Sequence, residues 1–249
     1  MSKLTYTEIV NLHINEKMST SKIAELAGIT DRGVRYILKK MGVQPIRWNN
    51  IKNNINLNFF KQWSNEMAYI LGLIYTDGCL HKNTLSISQK DPEILYKINK
   101  IMNSNYKLYK NKKTGVYTLN ISRKEIVEDL YKLGVTPKKS TTISFPKIPG
   151  QFLSHFIRGI YDGDGWVQDR NYVANITTAS KTFAEGLLQT FKEIGLNSFV
   201  KEGESKNNKI YRVWISGKDD VRNFYKYIYN NTGDLYIKRK KDRFKESEI

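Results

Sequence analysis

From about residue 58 onward, apolar residues switch between helical and strand spacing, and they do so twice in the same order. Two apolar, glycine-containing runs with helical spacing end in Asp-Gly: ILGLIYTDG at 70–78 and IRGIYDGDG at 157–165. Segments with strict alternation of apolar and polar residues follow, such as TLSIS and YTLNIS in the first half and YRVWIS in the second. This alternation predicts antiparallel strands with one face packed under helices and the other face polar.

In each half, the spacing of apolar residues predicts the order helix, strand, strand, helix, strand, strand, helix. The segment YTLNISRKEIVEDLY at 117–131 corresponds in the second half to YRVWISGKDDVRNFY at 211–225. Repetition of both order and spacing indicates an internal duplication, in which one chain is built as a homodimer would be. We therefore predict an α+β core, a pseudo-two-fold duplicated αββαββα arrangement, in a protein that is a monomer.

The first 43 residues predict an all-α unit of three short helices instead. The first helix begins near Thr5, and hydroxyl side chains that can cap the second and third helices stand at Ser19 or Thr20 and at Thr30. Gly28 stands where a sharp turn needs a left-handed residue. The residues expected to face inward are Ile9, Leu12, Ile14, Ile23, Ala24, Leu26, Ala27, Val34, Ile37, Leu38 and Met41.

The third of these helices is basic on its outer face. A helix, a short turn with glycine and a basic helix resemble the helix-turn-helix module of resolvases and many regulators. The resemblance implies that the third helix enters the DNA major groove, and an ordinary three-helix bundle with a solvated basic face is the alternative. The residues that would contact DNA are Thr30, Asp31, Arg32, Arg35 and Lys39.

Residues 44–57 have no periodicity and are rich in asparagine, which predicts a linker. Arg47, Trp48 and Lys52 are its candidate DNA contacts. The predicted domains are a helix-turn-helix unit at 1–43, the linker at 44–57, a first half at 58–150 and a second half at 151–249.

The charge of the chain limits what these surfaces bind. Lysine and arginine number 41 against 24 aspartate and glutamate residues, a formal net charge of +17. Such an excess favours a polyanionic partner, above all nucleic acid, and an AT-rich genome is the alternative source of the lysines. We expect the polar faces of the two sheets to form a saddle for duplex DNA, with a merely solvated sheet face as the alternative.

Cysteine and apolar content indicate the compartment. The single cysteine, Cys79, excludes an intramolecular disulfide and fits a reducing environment. No apolar run approaches the roughly 18 residues of a membrane span, and the N-terminus lacks an apolar signal region. We expect no membrane partner and a cytoplasmic location, whether in a bacterium, from a phage or in an organellar matrix.

The paired motifs resemble those of LAGLIDADG homing endonucleases in their monomeric, two-motif form; FIRGIYDGDG at 156–165 and PKKS at 137–140 are especially similar. The likeness covers about residues 58–245, and the N-terminal unit resembles one appended to some members. It implies that the two motif helices pack side by side through small residues at i, i+4 spacing. These residues are Gly72 and Thr76 in the first motif and Gly159 and Gly163 in the second.

The resemblance also implies a metal-dependent cut in double-stranded DNA. Asp77 and Asp164 would meet at the C-terminal ends of their helices, where partial negative charge attracts cations. Carboxylate oxygens suit Mg²⁺ or Mn²⁺, and water and substrate phosphates would complete the coordination shell of the ion. The carbonyl oxygen of Thr76 is not predicted to be a metal ligand. One aspartate would serve each strand, with cutting across the minor groove to leave staggered ends.

Two features depart from the family pattern. The earlier aspartate of the motif is Asp162 in the second copy but Tyr75 in the first, a position that the family uses for packing. Gln89 and Lys90 resemble a polar and basic pair near the metals, whereas the second half has Thr and Ala at 178–179.

The resemblance also implies polar and positively charged side chains beside the metals. The strands and turns of the core are expected to supply further DNA contacts. The predicted catalytic support comprises Gln89, Lys90, Lys139 and Lys240, the two last at similar places after the third helix of each half. The predicted DNA contacts of the core are Lys82, Ser86, Ser88, Lys110, Asn120, Gln168, Arg170, Lys201, Arg212 and Trp214.

Other functions of the same scaffold are a non-cleaving DNA-binding regulator and a maturase whose partner is intron RNA. An intein is disfavoured because the chain starts at Met1 and shows no flanking splicing nucleophile or terminal His-Asn pair. An EF-hand is excluded because Trp166 and Val167 follow DGDG, where a calcium loop needs an oxygen ligand and a glycine.

Overall fold

The computed structural model describes residues 4–46, 53–205 and 208–244. The chain divides after Asn54 into two compact units. Arg47, Trp48 and Lys52, the predicted contacts of the linker, lie outside the described residues. Within the described residues, no helix has both the length and the apolar character needed to cross a membrane.

The N-terminal unit consists of three helices, α1 (Tyr6–Ile14), α2 (Thr20–Ala27) and α3 (Asp31–Lys40). The hydroxyls of Ser19 and Thr30 each accept a hydrogen bond from the first turn of the following helix, as the sequence predicts, and the hydroxyl of Thr5 caps α1 in the same way. Gly28 ends α2 with φ +68°, the left-handed conformation expected there. The core of this unit is formed by Ile9, Ile23, Ala24, Ala27, Val34, Ile37 and Leu38.

Three apolar residues expected in this core are instead exposed: Ile14 (37%), Leu26 (49%) and Met41 (45%). Helices of two to three turns bury only a narrow stripe against one another, and these residues lie outside it. His13 is fully buried in their place. Its Nδ1 lies 2.9 Å from the carbonyl oxygen of Met18, and its Nε2 accepts a 2.8 Å hydrogen bond from the amide of Ile46.

The second unit is a duplicated α+β structure, as predicted. Its first half contains α4 (Asn65–Asp77), β1 (Gly78–His81), β2 (Thr84–Gln89), α5 (Pro92–Ile101), β3 (Leu108–Lys110), β4 (Tyr117–Ser122) and α6 (Lys124–Lys132). Its second half contains α7 (Gly150–Asp164), β5 (Gly165–Val167), β6 (Val173–Thr178), α8 (Lys181–Glu193), β7 (Ser198–Ser205), β8 (Asn208–Ser216) and α9 (Lys218–Tyr229), followed by α10 (Lys238–Lys241).

The two sheets have the same topology. Their strand orders are β1-β2-β4-β3 and β5-β6-β8-β7, and every pairing is antiparallel. Alternate residues of β2 and β4, such as Leu85, Ile87 and Leu119, are buried under the helices. The residues between them leave the other face open and polar, so the predicted alternation is confirmed.

The motif helices α4 and α7 pack directly on each other through the predicted small residues. A Cβ on Gly72 would collide with the carbonyl oxygen of Phe156 and lie 3.1 Å from Cα of Gly159. A Cβ on Gly159 would in turn collide with the carbonyl oxygen of Tyr69. Only glycine allows the two backbones this approach.

Candidate active site

Asp77 and Asp164 are the last residues of α4 and α7, and the packing of these helices brings the ends of the motifs together. A Cβ on Gly163 would collide with Oγ1 of Thr76 and lie 2.9 Å from Oδ2 of Asp77. The end of α7 is therefore in van der Waals contact with the end of α4. Asp77 is half-buried at this seam, and Asp164 is exposed.

The glycine after each motif aspartate lies where a Cβ atom would collide with its neighbours. Gly78 and Gly165 have extended backbones, with φ −90° and −81°, which any residue can adopt. A Cβ on Gly78 would lie 2.5 Å from the carbonyl oxygen of Ile74, and a Cβ on Gly165 would enter the ring of Tyr161. In each half the chain therefore turns from helix to strand immediately after the motif aspartate. This turn fixes the aspartate at the edge of its sheet.

Gln89 contacts one of the two carboxylates. Its side chain, at the end of β2, is 6% exposed, and its Nε2 donates a 2.6 Å hydrogen bond to Oδ2 of Asp77. Thr178 has the corresponding position at the end of β6, and its hydroxyl accepts from the amide of Ser180 instead. Lys90 is exposed just beyond β2, and its support of catalysis stays a prediction.

Lys139 and Lys240 occupy matching places in the two halves. Nζ of Lys139 donates a 2.5 Å hydrogen bond to the carbonyl oxygen of Gly78. Nζ of Lys240 donates to the carbonyl oxygens of Gly165 and Gly163, the latter at 3.3 Å. Each ammonium group therefore lies at the glycine that follows, or precedes, a motif aspartate.

The surroundings raise the pKa of both carboxyl groups. Burial, followed by the negative charge of Asp164, raises the pKa of Asp77 to about 7, against the opposing charges of Lys240, Lys139 and Arg239. Solvent reaches the Asp164 carboxylate, but protein atoms surround it at longer range, and this desolvation raises its pKa against the pull of the same two lysines. A cation bound beside the two aspartates would favour their ionised forms and oppose this rise in pKa.

The two lysines are themselves partly desolvated. Burial lowers the pKa of Lys139, and the nearby Cys79 and motif aspartates partly offset the effect. Burial and then the charge of Arg239 lower the pKa of Lys240, again with aspartates opposing. Lysine and aspartate side chains of the site thus act on one another electrostatically.

The seam offers oxygen donors for a divalent cation. Within the described residues, no group of three or more His, Cys, Asp and Glu side chains converges as a metal cluster, so protein ligands would be the two carboxylates. Two repelling carboxylates with raised pKa values are hard oxygen donors that fit Mg²⁺ or Mn²⁺ with water and phosphate completing the shell. Beside Asp164 opens a pocket of about 240 Å³ lined by Thr76, Lys139, Ser140 and Thr178 among others.

Asp162 is fully buried and belongs to a hydrogen-bond network in the core. Its carboxylate accepts from the hydroxyls of Tyr69 (2.8 Å) and Tyr229 (2.7 Å) and from the amide of Ile237 (2.8 Å). Burial raises its pKa to about 6, while these hydrogen bonds and Arg158 act in the opposite direction. The packing role expected for this position fits its surroundings.

On the first sheet, side chains of the open face pair across the strands. Ser86 donates to the amide oxygen of Asn120 at 2.7 Å, and the hydroxyls of Ser88 and Thr118 are 2.9 Å apart. Lys82 is exposed in the β1–β2 turn. Lys110 lies in register with Tyr117, with its ammonium 5.1 Å from that ring, so it faces the helix-covered side.

The second sheet carries a different open face. Lys201, Arg212 and Thr177 lie in register across β7, β8 and β6. Gln168 and Arg170 are in the β5–β6 turn. A second cross-strand row contains Trp166, Asn175, Trp214 and Phe199, in the order β5, β6, β8, β7.

Sequence reasoning missed several open-face residues. Asn175 and Thr177 could have been found from the alternation in VANITT at 173–178. Tyr109 takes the open-face position of β3 because it pairs with Thr118, and only the register shows this. Trp166 and Phe199 give no sequence signal that separates them from core aromatics.

In the N-terminal unit, Arg32, Arg35 and Lys39 are exposed along α3. Asp31 is paired with Arg35, whose Nε lies 2.7 Å from Oδ2 of the aspartate. The Thr30 hydroxyl caps α3 by accepting from the amide of Gly33 at 3.1 Å. Tyr36, 65% exposed on the same helix, was not foreseen.

Comparisons with known proteins show the family. A model described as a LAGLIDADG-like domain matches residues 64–133 and 151–229, once in each half. A probable translation initiation factor IF-2 of Methanocaldococcus jannaschii is 27% identical over 191 residues, 70% of this chain and 16% of that protein. A glutamine–fructose-6-phosphate aminotransferase of the same organism is 26% identical over 227 residues, 85% of this chain and 20% of that protein. The chain therefore spans no more than a fifth of the length of these curated relatives.

Solved structures share the fold at lower identity. Full-length DUF199/WhiA from Thermatoga maritima has a TM-score of 0.50 and 15% identity, covering 76% of this chain and 62% of WhiA. A variant of I-DmoI, bound to its target DNA in the presence of magnesium, has a TM-score of 0.50 and 18% identity, covering 70% of this chain and 98% of I-DmoI. The family model matches both halves of the duplicated fold, and the chain therefore belongs to the family of LAGLIDADG-like domain proteins.

Proposed function

We propose that this protein is a divalent-metal-dependent, site-specific endonuclease that cuts both strands of duplex DNA. The observation that carries the proposal is the meeting of Asp77 and Asp164 at the seam of α4 and α7, with Lys139 and Lys240 beside them. A net charge of +17 supports a polyanionic substrate. I-DmoI, which shares the fold, is described in complex with target DNA.

Asp77 and Asp164 would hold the metal ions, which would supply an activated water and neutralise charge on the phosphate and the leaving oxygen. Gln89 holds Asp77 in one orientation through its 2.6 Å hydrogen bond. Lys139 and Lys240 bring positive charge to the place where the phosphate becomes more negative. The pocket beside Asp164 leaves room for a phosphate group there.

The open sheet faces would contact the DNA on either side of the scissile phosphates. The first sheet offers hydroxyl and amide groups such as Ser86 and Asn120, which suit hydrogen bonds to base edges. The second offers Arg212 and Lys201 for phosphates, beside an aromatic row that contains Trp214. The three-helix unit would add a separate reader, with α3 in a major groove.

The test is cleavage of a library of long DNA targets with Mg²⁺ or Mn²⁺. The wild-type protein should give discrete double-strand cuts, and Asp77→Asn and Asp164→Asn should each abolish them. The matched control is Asp219→Asn, because Asp219 is exposed on α9 and, within the described part of the chain, its carboxylate pairs with Arg222 away from the motif aspartates. Unchanged cutting by both motif variants would overturn the assignment.

A second candidate is a sequence-specific DNA-binding protein that does not cut. Two observations favour it: Tyr75 replaces the earlier motif aspartate, and WhiA, whose name describes no nuclease, has the same TM-score as the I-DmoI complex. This function predicts specific, salt-sensitive binding without nicking under either metal. Nicking at a defined site would exclude it.

A further inference from the structure

The two lysines of the candidate site lie on connecting segments outside the motif helices. Lys139 begins a short 3-10 turn, Lys139–Thr141, seven residues after α6 ends at Lys132. Lys240 lies in α10, beyond the loop that follows α9. A long, flexible side chain stays at one carbonyl oxygen only where its own backbone is held, so the anchors of these two segments matter to the site.

In the first half, Tyr75 holds the lysine-bearing segment. Its hydroxyl donates a 2.6 Å hydrogen bond to the carbonyl oxygen of Leu133, the residue that caps α6. The next residue, Gly134, has φ +86°, and a Cβ there would lie 2.7 Å from the Tyr75 hydroxyl. The chain then reaches Lys138, whose φ of +54° turns the backbone immediately before Lys139.

In the second half, Asp162 holds the corresponding segment by different chemistry. Its Oδ2 accepts a 2.8 Å hydrogen bond from the amide of Ile237, the residue that caps the start of α10. The carbonyl oxygen of Ile237 in turn accepts from the amide of Lys240 at 2.9 Å. Arg158, one turn earlier on α7, donates to the carbonyl oxygen of Leu235 at 2.9 Å.

Tyr75 and Asp162 occupy the same position of the two motifs, two residues before the terminal aspartate. We propose that both are positioning residues: each ties its motif helix to the segment that carries the lysine of its own half, Tyr75 for Lys139 and Asp162 for Lys240. Tyr75 of the first motif then holds its segment through a hydroxyl, where Asp162 of the second motif uses a carboxylate. The catalytic meaning of this inference rests on the proposed function, whereas the ties themselves are properties of the fold.

The experiment measures how fast each lysine reacts with an amine-acylating reagent in the folded, full-length protein, resolved by tandem mass spectrometry. Tyr75→Phe keeps the ring, which packs on Phe156 with a centroid distance of 5.3 Å, and removes only the hydroxyl. Loss of one buried hydrogen bond should raise the reactivity of Lys139 roughly fivefold, with Lys240 unchanged. Equal reactivity of Lys139 in wild type and Tyr75→Phe, or an equal rise at both lysines, would overturn the proposal.

Tyr106→Phe is the matched control. Tyr106 is a buried tyrosine whose hydroxyl also donates to a backbone carbonyl, that of Ser122, at 3.2 Å. It lies in the α5–β3 connection, outside both lysine-bearing segments. Tyr106→Phe should leave the acylation rates of both lysines unchanged. A rise of Lys139 reactivity equal to that in Tyr75→Phe would show a general loss of stability and overturn the proposal.

Asp162 is tested by a pair of variants. Asp162→Ala removes the acceptor of the Ile237 amide and should raise the reactivity of Lys240 severalfold more than that of Lys139. Asp162→Asn retains one acceptor oxygen and should restore the wild-type rate at Lys240. A folded Asp162→Ala protein with unchanged Lys240 reactivity would contradict the proposal. Where this variant does not fold, Asp162→Ser takes its place, because the shorter side chain also withdraws the acceptor from the Ile237 amide, and the same outcomes apply.

Because labelling needs neither DNA nor metal, it decides the positioning roles whether or not the protein cuts. Absence of cutting by the wild-type protein would overturn the proposed function alone. In a protein that cuts, Tyr75→Phe should slow cleavage in the wild-type background and have no further effect in a Lys139→Ala background. Independent, additive effects of the two changes would contradict positioning through Lys139.

Discussion

Nε2 of Gln89 lies 2.6 Å from Oδ2 of Asp77 and donates a hydrogen bond to it, whereas within the described residues Asp164 accepts no side-chain hydrogen bond. The halves of the duplicated fold are thus unequal at the point where the chemistry is proposed to occur. The two strands of a DNA substrate would meet different environments, since each motif aspartate serves one of them in the proposed mechanism.

Gln89→Ala should therefore slow cleavage of one DNA strand more than cleavage of the other. Loss of the hydrogen bond leaves the Asp77 carboxylate free to rotate, and the expected decrease is roughly five- to tenfold in the rate of one nick. The measurement is cleavage of duplexes labelled on either strand. Gln189→Ala is the control and should leave both rates nearly unchanged, because Gln189 on α8 also donates a hydrogen bond to a carboxylate, that of Glu193 at 3.0 Å, and is not part of the candidate site. Equal slowing of both strands by Gln89→Ala would contradict this expectation.

Gly159→Ala should destabilise the second unit. The added Cβ would collide with the carbonyl oxygen of Tyr69 and lie 2.8 Å from the amide nitrogen of Leu73, both backbone atoms that cannot move aside alone. The expected loss in the free energy of unfolding is about 2–3 kcal/mol, measured by urea denaturation.

The control for this prediction is Gly150→Ala, at the first turn of the same helix. A Cβ on Gly150 meets nothing within 4 Å, so this change should alter stability by no more than about 1 kcal/mol. Similar losses for the two variants would show that the close approach of α4 and α7 is not what requires glycine.

The raised pKa of Asp77 should make the metal-free protein less stable, relative to its Asp77→Asn variant, as the pH rises from about 4 to about 7. The pKa of Asp77 is raised to about 7 in the folded state, above the value of about 3.9 for an unfolded aspartate. In this window the folded carboxyl keeps a proton that the unfolded chain releases, so each rise in pH favours unfolding. Asp77→Asn removes this contribution, and its stability relative to wild type should therefore increase with pH.

Urea midpoints of wild type and Asp77→Asn at several pH values would measure the effect. Asp162, whose pKa is raised to about 6, titrates in both proteins, so the difference between them reports Asp77 together with its coupling to Asp164. A difference that is the same at pH 5 and pH 8 would rule out a raised pKa at Asp77. Addition of Mg²⁺ should reduce the wild-type slope, because a bound cation favours the ionised carboxylate.

Lys39→Ala should weaken DNA binding with little effect on the preferred sequence. Lys39 is exposed in the last turn of α3 and has no ion pair among the described residues, so its ammonium group is available for a phosphate. The slope of log K against log salt should fall by about one unit. Lys192→Ala is the control because Lys192 is exposed on α8, which packs against β6, β7 and β8 on the face of the sheet opposite to the open one. Equal changes in the salt slope for both variants would show that the loss on α3 is only a loss of general charge.

The duplication could be predicted because each half repeats its order of elements and its spacing of apolar residues. The strand faces followed from alternation, so Ser86, Ser88 and Asn120 were placed on the open face. Lys110 could not be placed, because the side on which it lies depends on the register of β3 with β4. Ile14, Leu26 and Met41 were assigned to a core from local spacing, and the helices of that unit are too short to cover them.

By itself, the sequence determined the elements, the two motifs and the identity of the acids and lysines, since these depend on residues near one another in the chain. Only the tertiary structure decided which groups touch: Gln89 with Asp77, Lys139 with Gly78, and Tyr75 with Leu133. Such contacts join residues between 12 and 61 positions apart in the sequence, and they depend on how the strands and connecting segments of the first half fold against α4. The spacing of small residues indicated that α4 and α7 pack together, and the tertiary structure decided how near the ends of the two motifs lie. Distances between residues far apart in the chain depend on how the elements pack, and local spacing does not contain them.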